Sequence, residues 1–182
     1  MTSTIERFDT VAAGFDRRVA ECPPDRWDDP SPCEGWTARD VVVHVVSGLE
    51  AVLATADAPV ANDRDDPLLD QWRTAWAGMQ RALADPATAA RTVPGPLGEV
   101  AVKPLAAGVL LHDLLVHTWD LARATGQDET LDPATTARAL EKMEPFDDLL
   151  RGPSMFGPRL AVDDGADTQA RFLAFVGRDT GS

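Results

Sequence analysis

Three residues of this chain are spaced to do chemistry together. Asp113 and His117 stand four apart, so on a helix they share one face, and Asp120 joins it three residues on. The same stripe carries Ala106, Leu110, Leu121 and Ala124, which reads as a core-facing side. A carboxylate and an imidazole in such a stripe must be paired, hydrogen-bonded or bound to a metal, because unpaired buried charge is costly. A second histidine, His44, lies in another helical stretch, and the chain has only three histidines. Two imidazoles and one carboxylate, His44, His117 and Asp113, suit a divalent transition metal, and three protein ligands leave room for water or substrate. Asp120 then falls behind His117, where it orients that ring or pairs with a guanidinium such as Arg123 or Arg73. The competing reading makes Asp113 and His117 an ordinary helical pair and His44 a hydrogen-bonded core histidine.

Other polar and aromatic residues divide by helical phase. Around His44 the stripe is small, with Ser47, Gly48, Ala51 and Thr55, while Val42, Val45, Val46, Leu49 and Leu53 lie to the other side. Asp40 shares the face of His44, but Thr37 three residues earlier explains it as half of a capping box. His112 leaves its helix on the side of Gly108, Trp119 and Arg123 and reads as a surface or interface residue. Trp72 and Trp76 read as core, and Trp36 as an apolar staple beside the Thr37 cap.

The elements that must position these residues are helices. The spacing of Ile5, Phe8, Val11, Ala12, Phe15 and Val19 predicts a helix from about Thr4 to Glu21, stopped at Cys22-Pro23-Pro24. A second is predicted from Ala38 to Thr55, its cap and length outweighing the strand propensity of its valines. A third runs from about Leu68 to Ala84 and closes at Asp85-Pro86. The segment Arg91 to Lys103, with a Pro-Gly turn between apolar residues, suggests a short hairpin or an extended loop. The fourth helix is expected from Pro104 to Gly126, apolar nearly all round and therefore central. Asp132-Pro133 starts a fifth that is expected to reach about Leu150, and a last one spans about Asp167 to Val176. The stretch Arg151 to Pro158 is a candidate lid. The fold class is all-α, in one domain over residues 1–182.

Composition excludes several partners. A net charge of -13 argues against nucleic acid and against an anionic membrane surface. No secretory signal and no run near the length of a membrane span is visible, so the expected compartment is the cytoplasm. Cys22 and Cys33 are too few for a disulfide framework and have no standard metal spacing with a histidine. The expected partner is a small molecule, and the expected state is a monomer or homodimer.

The stretch Pro32-Cys33-Glu34-Gly35-Trp36-Thr37-Ala38-Arg39-Asp40-Val41-Val42-Val43-His44 resembles the Gly-Trp-Thr-x-x-Asp-x-x-x-His signature of the DinB-like superfamily. Asp113 through Gly126 is similar to the second signature of its actinobacterial branch related to mycothiol-dependent maleylpyruvate isomerase. The resemblance implies a DinB-like four-helix bundle, with extra short helices, holding a divalent metal, most often zinc or nickel. It implies His44, Asp113 and His117 as the metal ligands. In the isomerase the later pair is glutamate and histidine, so Asp113 departs from it by one methylene. The implied activity is a metal-dependent transferase or isomerase using a low-molecular-weight thiol such as mycothiol on a small electrophile, with Asp120 tuning the centre. A metal-dependent hydrolase and a non-catalytic metal-binding module remain the alternatives.

Overall fold

The computed structural model describes residues 4–95, 98–151 and 156–181. The chain divides into two units, Met1–Asp128 and Glu129–Ser182. The first is built on α1 (Thr4–Ala20), α2 (Ala38–Thr55), α3 (Leu68–Ala84) and α6 (Leu111–Thr125). These four pack in a closed ring: α1 on α3, α3 on α2, α2 on α6 and α6 on α1. That ring is the four-helix bundle expected of a DinB-like chain.

Each helix buries most of the stripe its sequence predicts; Ile5 of α1 is 38% exposed, and Leu69 and Trp76 of α3 are half-buried. On α1, Phe8, Val11, Ala12, Phe15 and Val19 are buried, and α2 buries Val41, Val42, Val45, Val46, Leu49 and Leu53. The valines stay helical because the helix is nucleated at its start and filled by the core. Thr37 accepts from the Asp40 backbone N–H at 3.3 Å, and Asp40 accepts from the Thr37 N–H at 2.8 Å, which completes the capping box. The Phe15 ring meets Trp72 edge-on with centroids 4.8 Å apart, and Phe8 meets Trp76 at the same distance. Trp72 is fully buried, its indole N–H donating to Asp16 at 3.2 Å, so it is core as expected. Arg73 grips the same Asp16 at 2.8 Å.

Between α3 and α6 lie the short helix α4 (Pro86–Ala89) and a two-stranded antiparallel hairpin of β1 (Thr92–Gly95) and β2 (Gly98–Ala101). Its turn, Pro96-Leu97, lies outside the described residues. The single fourth helix expected from Pro104 is instead three pieces: α5 (Val102–Leu105), a π-helical turn over Ala106–Leu110, and α6. The π turn bonds i to i+5 and so carries one residue more than an α turn. It ends before Asp113, leaving the α-helical phase from Asp113 to Asp120 intact. Gly126 closes α6 at φ 70°, a left-handed conformation that favours glycine.

In the second unit, α7 (Pro133–Met143) is capped by Asp132, whose carboxylate accepts from the Thr135 N–H at 2.8 Å. The helix does not reach Leu150 as expected. Pro145 lacks an N–H and crowds the preceding turn, and the chain continues as a 3-10 segment over Glu144–Arg151. The last helix, α8 (Thr168–Phe175), starts at Asp167 as predicted and packs on α7. Of the candidate lid, Gly152 to Met155 lie outside the described residues. Among the described residues, no helix is long and apolar enough to cross a membrane.

Candidate metal centre

The centre lies where the middle of α2 faces the first half of α6. His44 points its Nε2 at Asp113 Oδ2, 3.5 Å away, and His117 points its Nε2 at the other oxygen, Oδ1, 3.4 Å away. The ligand atoms of these three residues all lie within 4.8 Å of one another. For metal–ligand distances of 2.0–2.2 Å, tetrahedral ligands stand about 3.4 Å apart. Each imidazole stands at about that spacing from one oxygen of Asp113, the two reaching different oxygens, and the donor set of two imidazoles and one carboxylate fits a borderline divalent ion.

Behind this triad the ring of His117 is held from its other side. Its Nδ1 lies 2.9 Å from Asp120 Oδ2. Burial runs in order: the side chains of His44 and Asp113 are 41% and 38% exposed, His117 8% and Asp120 0%. So the centre has a wet edge and a dry back. When this fully buried carboxylate accepts from Nδ1–H, Nε2 is the nitrogen that faces the triad. Asp120 stands on the Nδ1 side of His117, while Arg73 is engaged with Asp16.

The electrostatics follow from this packing. Burial works against charge on both Asp113 and His117, but their mutual attraction outweighs it. The carboxyl of Asp113 is held well below the usual range by His117 and by hydrogen bonds from both imidazoles. His117 is raised well above an ordinary imidazole by Asp113, Asp120 and Cys33. Without an ion, the extra proton on His117 occupies the role a cation would take.

Two residues enter the site that spacing alone did not reveal. Cys33 donates its thiol to Asp120 Oδ2 at 3.3 Å, across 87 positions of sequence. Trp36 lays its indole beside His44 and His117, with centroids 4.9 and 5.9 Å apart, instead of serving only as a helix staple. Both come from one loop. The loop is pinned by a bridge between Pro30 and Thr37 and by the Ser31 N–H donating to the Trp36 carbonyl at 2.8 Å. Gly35 reverses the chain at φ 77°, which brings Trp36 back over α2. The only sequence signal was continuity: both sit in the segment leading directly into the Thr37 cap.

The remaining residues sort out as follows. Asp40 is the capping carboxylate. Cys22 is buried, its thiol pushed up to about 11 by that burial, and it belongs to neither potential ligand group among the described residues. His112, expected as a surface or interface residue, is half-buried, and burial alone pushes its imidazole down to about 4. The neighbouring Trp119 is also buried, so that side of α6 is covered rather than open.

A family model described as the mycothiol maleylpyruvate isomerase N-terminal domain matches residues 8–122. The chain belongs to that family. The match contains Cys33, Trp36, His44, Asp113, His117 and Asp120, and it agrees with the DinB-like bundle. Two proteins of Mycobacterium tuberculosis, one from each of two strains and both named as uncharacterized, are 36% identical to the chain over 145 residues. The alignment covers 79% of this chain and 77% of each relative. No solved structure matches at a significant level.

Proposed function

We propose that this chain is a metal-dependent enzyme that uses a low-molecular-weight thiol, such as mycothiol, to transfer to or isomerise a small electrophile. The convergence of His44, Asp113 and His117, with Asp120 behind His117, carries the reading. His44 and Asp113 would hold the ion from the wet edge and His117 from the dry side. The donor set suits a divalent transition metal, and the family resemblance implies zinc or nickel. When bound, such an ion would lower the pKa of a thiol and keep it as a nucleophilic thiolate. The chain's own contribution is to orient and to shield. Asp120 keeps the proton of His117 on Nδ1, so that Nε2 presents its lone pair. One carboxylate against a dication leaves the site positive, which favours an anionic thiolate on the exposed edge. Trp36 excludes water from one flank of the imidazoles.

The test uses untagged protein. Metal content is measured by mass spectrometry, and thiol consumption is followed with a panel of electrophiles, with and without mycothiol, before and after chelation. Thiol-dependent turnover that chelation abolishes is expected. Turnover that needs metal but no thiol would identify a hydrolase, and retained metal without any turnover would identify a non-catalytic module.

A further inference from the structure

Behind the proposed centre, Cys33, His117 and Asp120 offer a second group of ligand atoms that also lie within 4.8 Å of one another. We infer that these three residues form a separate site for a soft, thiophilic cation, and that it and the front centre exclude one another because both need His117.

The donor chemistry separates the two. The front set is two nitrogens and an oxygen; the back set replaces one nitrogen with sulfur, and thiolates select soft ions. Charge separates them again. A dication held by the thiolate of Cys33 and the carboxylate of Asp120 is neutralised, as a place with a fully buried carboxylate requires. The front centre keeps a net positive charge and lies on the exposed edge. The spacing is close to what an ion needs. His117 Nδ1 and Asp120 Oδ2 are 2.9 Å apart, and Cys33 Sγ and Asp120 Oδ2 are 3.3 Å apart. Tetrahedral coordination asks for about 3.4 and 3.6 Å, so each pair opens by roughly 0.3–0.5 Å. Cys33 belongs to a loop and is partly exposed, which gives the ion a way in.

Exclusion follows from the imidazole. A neutral ring carries one proton and offers one lone pair. With the proton on Nδ1, given to Asp120, Nε2 faces the front. With it on Nε2, given to Asp113, Nδ1 faces Cys33. Both nitrogens already lie near a carboxylate, 2.9 and 3.4 Å away, so either tautomer has an acceptor waiting. Binding at the back releases to solvent the thiol proton of Cys33 and the Nδ1 proton of His117, the ring keeping its proton on Nε2, and forms bonds from sulfur, Nδ1 and Oδ2 to the ion.

The probe is cadmium added to untagged, metal-free protein, read by the ultraviolet sulfur-to-cadmium charge-transfer band and by total cadmium per chain. Wild type, Cys22→Ser and His44→Ala are expected to show the band, and Cys33→Ser to lose it. Cadmium should also protect Cys33 of the wild type from alkylation, a readout that needs no folded variant. Prior zinc loading should suppress the band, and saturation should stop at one ion per chain. A band that survives Cys33→Ser, its absence from wild type, or its loss in His44→Ala overturns the site. Two cadmium ions per chain overturn the exclusion. Zinc retention in His44→Ala is read separately: if it equals wild type, the front centre fails while the cadmium result keeps its own meaning.

Discussion

The side chains of the centre carry different burdens, and substitutions should separate them. His117→Ala removes a proposed ligand and leaves Asp113 facing His44 with no third donor, so metal content of the purified protein should fall to background. Asp120→Asn keeps a hydrogen-bond partner near Nδ1 but removes the charge that fixes the tautomer, and metal affinity should fall about 10- to 100-fold. His112→Ala should leave metal content unchanged, because His112 joins neither group of ligand atoms. His112 has a different consequence, in stability. Folding lowers its pKa from the ordinary 6.5 to about 4, so below 6.5 the unfolded chain binds more protons than the folded one. Stability should therefore be lost as pH falls from about 6.5 to about 4, by up to roughly 3 kcal/mol. Urea melts across that range should flatten in His112→Gln. The two thiols should also part company. Cys22, with its thiol pushed up to about 11, should resist iodoacetamide at neutral pH until the protein is unfolded, while the partly exposed Cys33 is labelled first, as peptide mapping would read.

At the level of elements, the caps are the places where local sequence and tertiary structure agree, and they can be weighed. Thr37→Ala removes the side-chain acceptor for the Asp40 N–H and should cost about 1 kcal/mol of stability in chemical denaturation. Gly126→Ala meets no steric neighbour, so its cost is the left-handed backbone alone, about 1–2 kcal/mol. These same signals explain what could be read before any coordinates. The bounds of α2 and α3 follow from a cap, a stripe and a proline, all local. The three-part entry into α6 could not be read, because a π turn leaves no distinct composition and the apolar run passes through it unchanged. The early end of α7 could have been read from Pro145, whose missing donor outweighs an apolar pattern that continues beyond it. At the site, the relation of Asp113, His117 and Asp120 was legible because it lies on one helix. The thiol of Cys33 on Asp120 was not, because loop and helix meet only through the fold.

For the molecule as a whole, the division at Asp128 places every residue of the centre in the first unit, which also contains the whole family match at residues 8–122. A chain ending at Asp128 should therefore remain helical by circular dichroism and retain metal like the full chain; loss of metal from such a fragment that still folds would show that the remaining residues complete the site. The ring stack at Trp36 has a last consequence, for how the molecule handles light. The chain has no tyrosine and five tryptophans, so emission excited at the red edge of its near-ultraviolet band, beyond phenylalanine absorption, belongs to indoles alone. Trp72 is buried and Trp76, expected as core, is only half-buried; the two stack with centroids 5.9 Å apart, far in character from the indole leaning on two imidazoles. An excited indole beside a protonated imidazole or an open-shell ion loses its energy before it can emit. Trp36 therefore works as a built-in lamp on the centre: nickel should dim it, zinc should not, and Trp36→Phe, which leaves four indoles, should lose the response to nickel.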